Sequence, residues 1–458
     1  MIIKTRQDLL ESSSIWAKLN WTWAHSFILL QFTFQILLLF PQIGVFRVVV
    51  RIASFALSLF LLVWLRPESL KHPATNPAIG VLAVMLLEFC LHPYNNSIVA
   101  AAAQCAMYLA ILSPIFWVRN LKITPNAFES LMFLMWGIHT LSSCFGVLQV
   151  YYPGQFQPPL STFLKNNTFG GENLLITLAN GEQVYRPMGL TDTPGGAATA
   201  GFYALLFGVV IALKYKNPIL RIICMGSAAI GLFCIYLSQI RSVLVLAAIS
   251  MVFLAAVLMR TGQLARLTVL TSGVTALFAA TFTWAIAIGG QSTLQRLSSL
   301  FAASPDEVYQ QNRGHFLQDT IQQLLPQYPW GAGLGRWGMI NSYFGDNTDL
   351  VSRPLWAEIQ WTAWLFDGGM PLIIAYVAAI YFACLTAWKI AINRKLGDFA
   401  LWGSLIFAYN IGAVAITFNY PIFMSQGGME FWLLNAALFV AAGNSKIAVN
   451  KLSKTVRL

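Results

Sequence analysis

Along most of the chain, apolar runs alternate with short polar turns. A helix needs about 20 mostly apolar residues to cross the hydrocarbon core of a bilayer. Runs of that kind lie near 25–42, 46–65, 77–92, 98–118, 128–150, 189–213, 222–238, 242–259, 267–287, 367–388, 399–418 and 429–443. The pattern predicts an all-α polytopic membrane protein, with residues 1–458 forming a single transmembrane helical bundle of about 12 transmembrane helices. Two long polar stretches interrupt it, 151–188 and 289–366. The first is rich in Gly, Pro and Asn and predicts a short extended or hairpin structure. The second contains NRGHFLQDTIQQLLPQYP, whose Phe316, Ile321, Leu324 and Leu325 recur at helical spacing. That spacing predicts an amphipathic helix on the membrane surface or capping the bundle. Polar loops of such length in a compact protein are usually functional.

One apolar run is too long for a single crossing. It extends from Trp356 to Trp388, and Gly368, Gly369 and Pro371 offer a break inside it. The part before the break, about 354–366, is predicted to be a helix at the outer mouth of the bundle, presenting Glu358 there.

Charge supplies the orientation. Only 10% of residues are charged, against about 25% in soluble domains, while 57% are hydrophobic. With the N-terminus placed in the cytoplasm, inner segments hold Lys4, Arg6, Lys18, Arg66, Lys71, Arg119, Lys122, Lys214, Lys216, Arg221, Arg260, Arg266, Lys389, Arg394, Lys395, Lys446, Lys451, Lys454 and Arg457. That is 19 of the 28 basic residues, as the positive-inside rule requires, and it puts both termini in the cytoplasm. The N-terminal stretch shows no cleavage-site pattern after a short apolar core, so the first span is expected to remain as the insertion signal. The net charge of +11 follows from this topology, so no nucleic-acid partner is expected.

The nine exceptions are informative. Arg47, Arg51, Lys165, Arg186, Arg241, Arg296, Arg313, Arg336 and Arg353 all fall on the outer side. Arginine stays charged and grips phosphate through two parallel N–H bonds, so the set points to an anionic ligand at the outer surface. Arg47, Arg51 and Lys165 have a plainer reading, as partners of carboxylates or of lipid headgroups.

Three constellations stand out. Arg186 lies in YRPMGLTDTPGGAATAG, where the first long loop enters a span behind a run of small residues. Arg241 lies in LSQIRSVLV; the two spans between Arg221 and Arg260 force a tight outer tip near Ser238–Ser242. An arginine there is costly unless an anion meets it. Glu358 lies in SRPLWAEIQWTAWLFDGGMPLIIAY, as a general base or as the salt-bridge partner of Arg353 or another loop arginine. His315 stands alone in the outer loops, and Glu88 and Glu129 read as polar packing. GAGLGRWG, at 331–338, has the glycine spacing of a dinucleotide-binding loop, but no strand precedes it. Its glycines are expected to form a tight loop near a ligand or beneath the mouth of the bundle. The cysteines, Cys90, Cys105, Cys144, Cys224, Cys234 and Cys384, lie in apolar stretches without metal-ligand spacing, and neither a disulfide, a metal nor a cofactor is expected.

Together the segments RPMGLTDTPGGAATA, LSQIRSVLVLAA, YPWGAGLGRWG and EIQWTAWLFDGGMPL resemble, in order and spacing, motifs of the O-antigen ligase and O-antigen polymerase superfamily of bacterial envelope glycosyltransferases. The resemblance covers roughly 180–390. It departs where ligases carry a His-Asn pair: Glu358 and Ile359 occupy those positions. The resemblance implies metal-independent glycosyl transfer from an undecaprenyl diphosphate carrier, at the outer face of the bacterial inner membrane. Polymerisation of repeat units into surface polysaccharide or exopolysaccharide is the leading expectation. Transfer to a lipid or protein acceptor comes second, and transport of a lipid-linked anion third. In that scheme Arg186 and Arg241 bind the diphosphate and Glu358 takes the acceptor proton. Arg313, Arg336, Arg353, His315 and Trp337 contact substrate. The partners implied are the lipid-linked glycan, a glycan or lipid acceptor, membrane lipids and other polysaccharide assembly proteins.

Overall fold

The computed structural model describes residues 21–65, 71–159, 174–298, 304–349 and 351–455. Each apolar run of the sequence is a helix. We number the long ones α1 (Trp23–Leu37), α2 (Arg47–Trp64), α3 (Thr75–Leu91), α4 (Ile98–Leu112), α5 (Pro125–Tyr151), α6 (Gly196–Lys214), α7 (Pro218–Ser238), α8 (Arg241–Arg260), α9 (Leu264–Ser298), α10 (Gln360–Ala391), α11 (Ala400–Ile416) and α12 (Gln426–Thr455). Among the described residues, eight helices are both long and apolar enough to cross a membrane, namely α2, α5 to α10, and α11 with the turn that leads into it. A ninth crossing forms if α4 continues through Pro114–Asn120 across a bend of 41°. α1 and α3 are apolar but span only 15 and 17 residues. α1 stops at Leu37 because Pro41 and Gly44 follow, and Gly44 is bent out of helical geometry.

α6 is the buried axis of the bundle. It packs against α5, α7, α8 and α11, and 89% of its apolar window is inside the protein. Small residues permit this: a Cβ on Gly201 would overlap the Gly231 carbonyl of α7. In lipid, such close backbone approach replaces the hydrophobic drive that water supplies elsewhere. Side-chain hydrogen bonds add to it. Asn410 of α11 and Asn435 of α12 exchange amide bonds at 2.7 and 2.8 Å, and Trp136 of α5 donates to Ser227 of α7 at 2.8 Å.

All long connections leave from one end of the bundle. α8 starts there at Arg241 and α11 finishes there at Ile416; a Cβ on Gly412 of α11 would meet Leu246 and Ser250 of α8. α10 also starts there, with the Gln360 amide donating to the Thr417 carbonyl at 3.0 Å. The first loop contains the expected hairpin, β1 (Leu175–Thr177) paired antiparallel with β2 (Gln183–Tyr185); residues 160–173, including Lys165, lie outside the described residues. The second loop contains the expected helix over 305–327, widened to π geometry at Gln310–Gly314 and Thr320–Leu324. It buries Thr320 rather than Ile321, because the Thr320 hydroxyl bonds that of Thr362 in α10 at 2.6 Å while Ile321 points outward. The outer helix expected over 354–366 is shorter. Residues 354–359 are extended, with Leu355 bridged to Trp337, and α10 begins at Gln360. The break at Gly368 and Gly369 is present, Gly369 having a φ of 61°.

Candidate functional site

A first group of arginines at the long-loop end converges from three elements. Arg186 follows β2, and its amide donates to the Leu174 carbonyl at 2.9 Å. Arg241 opens α8 after a two-residue tip in which Gln239 takes a left-handed φ of 54°. Arg296 stands on α9 beyond the bend at Gly290. It is close enough to repel both of the others. The frame is tied together. The hairpin rests on α9 through the Ala179 amide on the Ile288 carbonyl at 2.9 Å and the Ser292 hydroxyl on the Thr177 carbonyl at 2.6 Å. The α7–α8 tip joins through the Gln239 amide on Ser292 at 3.4 Å.

Burial first, and Arg296 second, push the Arg186 guanidinium below its ordinary range. Its Nε is buried and has no hydrogen-bond partner. A fold holds like charges together at a cost, and a multivalent anion is the ligand that relieves it. The N-terminus of α8 adds the positive end of a helix dipole to the same place.

The second group surrounds Glu358. Its carboxylate forms an ion pair with Arg313 of the 305–327 helix and accepts a hydrogen bond from Trp356 Nε1 at 3.1 Å. The pair is partly open, with side-chain exposures of 38% for Arg313 and 24% for Glu358. Thus the salt-bridge alternative for Glu358 is realised, with Arg313 rather than Arg353. Tyr309 of the same helix reaches the Phe418 carbonyl at 3.4 Å, so the group sits over the α11–α12 connection, at the end of the bundle where Arg241 lies.

The remaining expected substrate contacts divide. Arg336 and Trp337 are held within the loop's own frame. Arg336 is buried and donates to the carbonyls of Arg353 at 3.0 Å and Ala332 at 2.7 Å. Trp337 is buried and donates to Asp367 at 2.8 Å. The physical reason is the glycine loop: Gly333 and Gly335 have φ of 100° and 76°, and a Cβ on either would strike the backbone of Tyr94–Asn95 or Ala100–Ala101. The loop folds down onto the turn between α3 and α4 and takes its side chains inward. Arg353 is exposed, and His315 is exposed with its ring against Phe316, centroids 3.9 Å apart. Arg47 and Arg51 share Asp192, at 3.2 and 2.7 Å.

Sequence reasoning placed Arg296 among the outer arginines but gave it no role. Its signal was the Gly289-Gly290 pair, where α9 bends, the same kind of break as Gly368-Gly369. It also passed over Asp367, fully buried one residue before the Gly368 break and satisfied by Tyr108 at 2.7 Å, Gln104 at 2.9 Å and Trp337. A carboxylate inside an apolar helix next to a glycine pair was the available clue.

No protein-family model matches the chain, and no curated protein matches it. The geometry therefore stands as the argument for function.

Proposed function

We propose that the protein is a bacterial inner-membrane glycosyltransferase that polymerises glycan repeat units carried on undecaprenyl diphosphate. In this reading twelve helices cross the membrane, both termini are cytoplasmic, and the long-loop end is the outer face. The positive-inside distribution supports that orientation. The observation that carries the function is the convergence of Arg186, Arg241 and Arg296 from a hairpin, a helix start and a bent helix. A diphosphate offers several oxygens to such a cluster, and the Arg186 Nε is a donor awaiting one.

The chemistry follows from these parts. The acceptor hydroxyl oxygen bonds to the anomeric carbon of the donor glycan as the bond from that carbon to the diphosphate oxygen breaks. The electron pair leaves with undecaprenyl diphosphate, and the arginines stabilise the charge that grows there. Glu358 takes the acceptor proton. The carboxylate is first tied to Arg313. Phosphate arriving at the outer face competes for that guanidinium and frees the carboxylate to act as base, while Trp356 Nε1 keeps it oriented.

The test uses purified protein in nanodiscs with an undecaprenyl-diphosphate oligosaccharide as donor. A ladder of longer lipid-linked glycans is expected, falling about 100-fold or more in Glu358→Gln, the scale of losing one general base. A ladder unchanged in Glu358→Gln removes the base assignment. Transfer only after a lipid acceptor is added makes the protein a ligase.

A further inference from the structure

The end of the bundle opposite the long loops carries a recess that glycosyl transfer leaves unused. It lies between the α8–α9 turn and the α10–α11 turn, with a volume of about 390 Å³ and walls that include Thr261, Gln263, Arg266, Arg394, Gly397 and Asp398. Arg266 is held in a preset posture. It donates to Gln263 Oε1 at 2.6 Å and to Asp398 Oδ1 at 2.7 Å, and Gln263 in turn donates to Thr261 at 3.0 Å.

Three features point to a ligand. First, Arg266 stands in the first turn of α9, where the helix dipole disfavours a cation and favours an anion. Second, the balance of charge is one-sided. Residues 260–266 and 389–400 carry Arg260, Arg266, Lys389, Arg394 and Lys395 against the single carboxylate of Asp398. The Asp398 side chain is 68% exposed, so its pairing with Arg266 is a screened contact that another anion displaces readily. Third, Met259, Leu264 and Ile392 flank the recess with exposed apolar side chains. The recess therefore sits at a boundary between apolar and polar surface, where a ligand with a charged head and an acyl tail meets both.

We propose that this recess binds the phosphodiester headgroup of an anionic phospholipid, with Arg266 and Arg394 gripping the phosphate oxygens in place of Asp398. Basic pockets between helices at the inner side of a membrane bind anionic headgroups in this way. Insertion requires positive charge at these turns but no fixed arginine frame around a cavity, so topology alone does not account for it.

Native mass spectrometry of the full chain tests this with palmitoyl-oleoyl phosphatidylglycerol against the matching phosphatidylethanolamine. The protein is expected to retain one phosphatidylglycerol with about tenfold preference over phosphatidylethanolamine, whose phosphate charge is offset by an ammonium that the surrounding cations repel. Arg266→Gln with Arg394→Gln should abolish the preference. Asp398→Asn should strengthen it, and this variant decides the matter if the double arginine variant does not fold. Lys122→Gln with Lys216→Gln, exposed at the same end, should change nothing. Three results overturn the proposal: a loss as large in the lysine control, no gain in Asp398→Asn, or displacement of the lipid by millimolar inorganic phosphate, which marks a site for the free ion.

Discussion

Two groups of arginines occupy the long-loop end of the bundle, and the fold treats them in opposite ways. Arg47 and Arg51 share one carboxylate, Asp192; Arg47 also donates to the Leu38 carbonyl at 2.6 Å, and Arg51 to the Tyr343 hydroxyl at 3.2 Å. Each contact joins separate parts of the chain: the end of α1, the start of α2, the loop after Arg186 and the short helix Gly338–Phe344. Those arginines hold the structure together. Arg296 instead repels both Arg186 and Arg241, and the Arg186 Nε is buried without a partner. Holding like charges close costs stability, and under the proposed function a bound diphosphate offsets that cost. The first group has the contacts of a structural clamp, and the second is the group to which we assign the diphosphate.

The largest expected effect is on turnover. Arg241→Ala or Arg186→Ala should lower polymer formation by about 10²–10³-fold, the usual consequence of removing one preset donor from developing charge. The thermal midpoint of Arg186→Ala should stay level or rise, because a repelling charge and a buried unpaired donor are gone. Arg51→Ala should show the reverse pattern, with a lower midpoint and a much smaller loss of turnover. Equal losses of turnover in Arg51→Ala and Arg186→Ala would erase the distinction.

Next in size is Asp192→Ala. It leaves Arg47 and Arg51 facing each other with side chains 17% and 21% exposed. Breaking a buried pair on one side costs about 3–5 kcal/mol, and partial exposure brings this to about 2 kcal/mol. The readout is the denaturation midpoint in detergent. Replacing Arg51 as well should return part of the loss, since the stranded charge goes with it. A midpoint unmoved by Asp192→Ala would mean that solvent already screens this group.

The helices were largely legible because a membrane imposes a single long-range rule: each crossing needs an apolar run. The tip at Arg241, the break at Gly368–Gly369 and the hairpin in the first loop were all readable from local signals. The site was legible only in part. The sequence showed that arginines gather in and around the long loops, but not which of them had partners. Asp192, only six residues from Arg186, neutralises two arginines about 140 positions away in the chain and leaves the Arg186 Nε without a partner. Nor does glycine spacing say which way a loop folds. GAGLGRWG turned inward onto the α3–α4 turn and carried Arg336 and Trp337 with it. Such outcomes depend on contacts distant in sequence, which periodicity and charge counting do not encode.

The smallest predicted effect addresses the arginine comparison most directly, because it needs no glycan. Inorganic pyrophosphate is the part of the proposed donor that the repelling arginines would hold. A ligand that binds only the folded state stabilises it by about 1.4 kcal/mol at ten times its dissociation constant. Millimolar pyrophosphate should therefore raise the thermal midpoint of the wild type and of Arg51→Ala by the same small amount, and leave Arg186→Ala unmoved. Sulfate at matched ionic strength should do less, since it offers one tetrahedral anionic group where pyrophosphate offers two. If pyrophosphate protects Arg186→Ala as well as wild type, the anion binds elsewhere, and the repelling cluster loses its claim to the diphosphate. If it protects wild type but not Arg51→Ala, then the Asp192 group is the phosphate site and the two roles must be exchanged.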